Sequence, residues 1–208
     1  MTTISSHYQR FRIADNNLRE QYGSIINAFV NASNGTFKSR IAKDEKRHYP
    51  PSDFIDEVSG AQCFMHRHDS GRLDTLHIHF FYRWQPQNLA LDQTITTHLA
   101  ALDVSLKGEP IGWFLVNQWV VGDYWQNARK TKQFASQWRM GSSNKNRHLP
   151  NQLVANWLNA VLKLGLSSTI PKLLAARDER IDRTLSINPR RQILTDKRIE
   201  NMGYLPFN

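Results

Sequence analysis

A chain of 208 residues that is 40% hydrophobic, with six Trp, ten Phe and six Tyr, can build one complete core and is not a disordered sequence. Lys plus Arg exceed Asp plus Glu by 27 to 18, a net +9 that suits phosphate-bearing partners, and the single cysteine, Cys63, excludes an intramolecular disulfide or a cysteine-based zinc site. No apolar run approaches the roughly 20 residues of a membrane span, and Met1 to Arg12 lacks the apolar stretch of a secretory signal. A cytoplasmic single domain over residues 1–208, with no membrane contact, is the expectation.

In chain order, Leu18, Tyr22, Ile25, Ile26, Phe29 and Val30 recur at helical spacing and predict an N-terminal helix over 14–34, stopped by Asn34-Gly35. Residues 37–53 are charged and broken by Pro50-Pro51, which reads as an exposed connection. Gln62 to His68 and Leu76 to Arg83 predict two strands joined by a polar bend. A second hairpin follows, Thr96 to Leu106 and Ile111 to Val121, with Trp113, Leu115, Asn117 and Trp119 on one face of its return strand. The helical period returns from Asp123 to about Trp138, and Met140 to Arg147 reads as a flexible basic loop. Val154, Trp157, Leu158, Val161 and Leu162 mark a helix ending near Gly165. In the last helix, capped by Ser167 or Ser168, residues Arg177 to Arg183 offer exposed ion pairs. The order predicts an α+β fold: an antiparallel sheet of about four strands in two hairpins (60–122), packed against the N-terminal helix and a helical C-terminal part (123–190).

The chemistry concentrates in the first hairpin. His66-Arg67-His68 and His77-Ile78-His79 are two H-x-H pairs, and alternate residues share a strand face. A bend centred between them pairs His66 with His79 and His68 with His77, so that all four imidazoles share one face with opposed Cβ atoms about 5 Å apart. Neutral imidazoles bury poorly and protonated ones repel, whereas a divalent cation satisfies the lone pairs of several at once. His66, His68, His77 and His79 are therefore the candidate metal ligands, with zinc the first choice. Asp74, Asp103 and His98 are candidates for holding those rings from behind.

The positive charge is clustered as well. From Tyr124 to Pro150 the chain carries Arg129, Lys130, Lys132, Arg139, Lys145 and Arg147 and no acidic residue, so these six are the candidate nucleic-acid contacts, with Trp125 and Trp138 available for stacking.

Two blocks carry a resemblance. Cys63-Phe64-Met65-His66-Arg67-His68 with His77-Ile78-His79-Phe80-Phe81, and Thr97-His98-Leu99-Ala100-Ala101 with Asn117-Gln118-Trp119-Val120-Val121, resemble an uncharacterised bacterial domain-of-unknown-function family. Its pattern is H-x-H-R, a second H-x-H, and an N-x-W-V followed by an acidic residue and Trp, here Asp123 and Trp125. Leu76 and Thr75 depart from it, standing where a glycine and a further histidine are usual. The resemblance implies a shared fold and site and no particular activity. A second resemblance is to the HUH endonucleases, in His77-Ile78-His79 and in His68-Asp69-Ser70-Gly71-Arg72; it implies a divalent metal and Tyr124 as the nucleophile on single-stranded DNA.

Two classes of function follow. One is a metal-dependent hydrolase or phosphodiesterase acting on a phosphorylated or nucleic-acid substrate. The other is a non-enzymatic nucleic-acid-binding module with structural histidines, and the HUH-type nickase combines the two.

Overall fold

The computed structural model describes residues 4–32, 47–67, 75–87, 93–143, 145–146, 148–189 and 192–207. One antiparallel sheet contains β1 (Tyr49–Asp56), β2 (Ala61–Arg67), β3 (Thr75–Trp84), β4 (Ile95–Ser105), β5 (Pro110–Val116) and β6 (Asn201–Pro206), and its spatial order follows the chain. Among the described residues six α-helices accompany it: α1 (Ile4–Tyr22), α2 (Ile25–Ala32), α3 (Gln118–Val121), α4 (Ala128–Gln137), α5 (Gln152–Ser168) and α6 (Ile170–Ile187). The class is the α+β expected, with six strands in place of four; β1 and β6, the two edges, are the additions.

The core lies between helices and one sheet face. Phe29 of α2 meets Phe54 of β1 edge-on at 5.2 Å, and Phe80 of β3 meets Trp138 at 5.4 Å and Trp113 of β5 at 5.7 Å. Trp157 of α5 donates its indole N–H to Asp15 of α1 at 2.9 Å, which satisfies the polar end of a fully buried ring.

Local chemistry accounts for the departures from expectation. The predicted 14–34 helix is two helices: Gly23 takes φ +74°, and Ser24 accepts the Asn27 N–H to start α2. Asn34-Gly35 lies outside the described residues. Pro50 and Pro51 sit in a strand and not in a connection, because β1 is an edge strand and its pairing with β2 is interrupted between Tyr49 and Phe54.

The second hairpin's return strand stops at Val116. Asn117 accepts the Gln118 N–H, α3 follows, and Gly122 closes it in the left-handed region, so Trp119 leaves the sheet. The basic helix begins at Ala128 and not at Asp123, since Asn127 caps it. In the expected flexible loop, Met140 N–H bonds Asn159 and Gly141 N–H bonds Asp56 at 2.8 Å. The fifth helix runs past Gly165 to Ser168, and the hydroxyls of Ser167 and Ser168 donate back to Leu164 C=O instead of capping α6. Arg177, expected on an exposed face, is buried and donates to Asp178 and to Gln126 C=O, both at 2.8 Å.

Candidate metal centre

The sheet face turned away from the core carries the histidines. The pairing of β2 with β3 sets His66 opposite His77 and Phe64 opposite His79, a register two residues from the symmetric one that would pair His66 with His79. A shift of two preserves the face, so the imidazoles still converge. The contact expected directly across the ladder becomes a diagonal one: His66 Nε2 lies 3.0 Å from His79 Nε2, with ring centroids 4.8 Å apart. His77 completes the group, its ring 5.7 Å from that of His66 and 6.2 Å from that of His79. One ring nitrogen from each of the three falls within 4.8 Å of the others, a cluster geometrically able to hold a metal ion. His68 and Asp74 lie outside the described residues.

Two neighbours named from sequence reach these rings. His77 faces Asp103 across β3 and β4, with Nε2 and Oδ1 3.6 Å apart. His98 places Nε2 3.2 Å from His79 Nδ1. On a regular strand His98 and Asp103 would point to opposite faces, being an odd number of residues apart. The pairing shifts between Phe80 and Phe81, so that Ala100 faces Phe80 but His98 faces Phe81, and the bulge turns His98 onto the imidazole face. No sequence period predicts that turn.

The electrostatics follow from burial. Desolvation, helped by the Arg177 guanidinium, lowers the His98 pKa to about 3, so this ring is neutral at physiological pH. Asp123 accepts the His98 backbone N–H at 2.7 Å, and burial raises its carboxyl to about 6 although that bond and Arg177 oppose the rise. Burial also raises Asp103 above the usual carboxylate range, offset in part by the Thr75 hydroxyl and the Val104 N–H. Gly112 leaves space for the Tyr204 ring, since a Cβ there would collide with the phenol oxygen. Burial and the Asp103 charge raise that phenol's pKa.

The imidazoles open into a cavity of about 480 Å³. Phe64, Phe81 and Phe114 line it beside the histidines, Val120 and Val121 of α3 with Glu200 and Asn201 form one wall, and His48, Asp53 and Gln62 form another. Residues from near both sheet edges reach one cavity, so the sheet curls around it. His48 and Asp53 belong to the segment that reads as a connection, and Gln62 opens the first predicted strand, where a lone glutamine carries no ligand signal.

The remaining sequence candidates lie elsewhere. The Tyr124 ring is half exposed and packs edge-on against Trp84 at 5.8 Å. Trp84 in turn packs on Phe134 of α4, on the helix side of the sheet, five residues beyond His79 or about 17 Å along the strand. Arg129 and Lys132 are exposed on α4, Lys130 lies over the Phe134 ring at 4.8 Å, and Arg139 and Lys145 are exposed beyond the helix. Arg147 is outside the described residues. The N-x-W-V segment is an anchor: Asn117 donates to Ile193 and Ile199 C=O, each at 2.9 Å, and Trp119 donates to Ile199 C=O at 2.9 Å. Asp123 and Trp125 after it engage His98 and the Arg177 guanidinium.

Among the described residues no helix is long and apolar enough to cross a membrane. No curated protein and no solved structure matches the chain significantly. The family described as Domain of unknown function (DUF6969) matches residues 11–207, nearly the whole length, and the chain belongs to that family.

Proposed function

We propose that His66, His77 and His79 bind one divalent metal ion, zinc in the first instance, and that the site is hydrolytic. The observation that carries this reading is the convergence of three ring nitrogens within 4.8 Å. Two nitrogens bound at about 2.1 Å to one tetrahedral ion stand roughly 3.4 Å apart, and His66 Nε2 and His79 Nε2 are already at 3.0 Å. With His79 Nε2 on the ion, its Nδ1–H donates to His98 Nε2, which the neutral His98 ring can accept. Asp103 Oδ1, 3.6 Å from His77 Nε2 on the neighbouring strand, places a carboxylate behind that ring.

Three protein ligands leave a fourth position for water, and a zinc-bound water ionises near pH 7. The cavity beside the imidazoles supplies room for a substrate carrying an acyl or phosphoryl centre.

Cobalt substitution tests the proposal. The Co²⁺-loaded protein should develop the visible absorption of a four-coordinate site, lose it to Zn²⁺, and lack it in His77→Ala. A spectrum equal to that of the free ion, in a folded protein, overturns it.

A further inference from the structure

We propose that His48, held by Asp53, is the proton acceptor of this site, the residue that removes a proton from the attacking water; the assignment rests on the hydrolytic reading above. His48 Nδ1 lies 2.9 Å from Asp53 Oδ1, and the other carboxylate oxygen accepts the Gln62 side-chain N–H at 2.8 Å. The carboxylate is thus fixed from two sides and fixes the ring in turn. Stacking fixes the ring plane: the His48 ring lies 3.7 Å from that of Phe64 at an interplanar angle of 7°.

Backbone geometry builds this arrangement. The break in β1 pairing between Tyr49 and Phe54 loops out the prolines, and Asp53 takes φ +52°, which aspartate tolerates better than most residues. The irregularity lets a carboxylate five residues downstream reach His48. An edge strand without this kink would send the two side chains to opposite faces, since they are an odd number of residues apart.

The consequence is chemical. A carboxylate on Nδ1 holds the proton there and leaves the lone pair on Nε2. His48 lines the same cavity as the three imidazoles, and its ring centroid is 6.3 Å from that of His66. A water in that cavity would have His48 and the three imidazoles as neighbours. In the step proposed, the water O–H bond breaks and its proton passes to His48 Nε2. The water oxygen then bonds to the acyl or phosphoryl centre, and the leaving-group oxygen takes the proton back as its own bond breaks. No oxidant or further reactant enters.

Two measurements on the full chain test it. In long-range ¹H–¹⁵N spectra, with or without zinc, the neutral His48 ring should carry its proton on Nδ1, and Asp53→Ala should move it to Nε2. A wild-type ring protonated on Nε2 overturns the assignment. With zinc bound and 4-nitrophenyl acetate as probe, His48→Ala should lower turnover at least 100-fold. Zinc affinity should stay within about twofold, because His48 is not a ligand, and added imidazole should restore part of the rate. A loss under threefold, a loss that follows lost zinc, or no turnover by the zinc-loaded wild type overturns it. A wild type that binds no zinc overturns the metal reading alone; the tautomer measurement and the same variant on the metal-free chain then decide His48.

Discussion

Asp123→Asn isolates the energetics behind the imidazole cluster. The Asp123 carboxyl is buried with its Oδ2 on the His98 N–H, and its pKa is raised to about 6 from 3.8. Between those values the folded chain keeps a proton that the unfolded chain has released. Folding stability from this group is therefore complete below pH 3.8 and lost as pH rises through about 6. At about 1.36 kcal/mol per pKa unit the loss is about 3 kcal/mol. Asparagine keeps an acceptor oxygen for the His98 N–H and does not titrate. Urea unfolding of both proteins from pH 3.5 to 7.5 should show the variant gaining about 3 kcal/mol relative to wild type across that range, most of it between pH 4 and 6. Parallel stability profiles would show that burial of this carboxylate costs nothing and would refute the reasoning.

Further outcomes follow from other sites. Gly165→Ala should destabilise although alanine favours a helix by about 1 kcal/mol: its Cβ would lie 2.7 Å from two carbons of the buried Trp113 ring. Overpacking of this kind costs about 1–3 kcal/mol, and a melting curve reads the net loss. Asn117→Ala removes three hydrogen bonds at a buried site and takes the side-chain donor from the Ile193 carbonyl, while Ile199 C=O keeps the Trp119 indole N–H. A loss of about 3 kcal/mol by denaturant unfolding is expected. Zinc at 100 times its dissociation constant should stabilise the wild type by about 2.7 kcal/mol in a thermal or urea assay, and His79→Ala should abolish that gain.

The sequence discloses the histidine face through its period of two, and that part survives because parity is insensitive to a register shift of two. The register itself depends on the length of the turn, which residue identities leave open, so His66 faces His77 and not His79. His98 reaches the cluster through a bulge, and bulges leave no periodic trace. His48 and Asp53 were hidden by Pro50-Pro51, whose turn signal is real but is also compatible with an edge strand. The expected N-terminal helix is divided by the Gly23-Ser24 stop and cap, and α1 begins at Ile4 and not at residue 14, because its polar first turns carry little apolar period. The Asn117-Gln118-Trp119-Val120 block stands out in sequence for its carbonyl anchoring of the C-terminal segment, a structural role.

Metal content measures the central claim most directly. Purified protein dialysed against zinc, then against metal-free buffer, should retain one zinc per chain by elemental analysis. Single alanine variants at His66, His77 and His79 should retain none while keeping the wild-type fold. Retention equal in wild type and in all three variants, or no retention by folded wild type, would contradict the account.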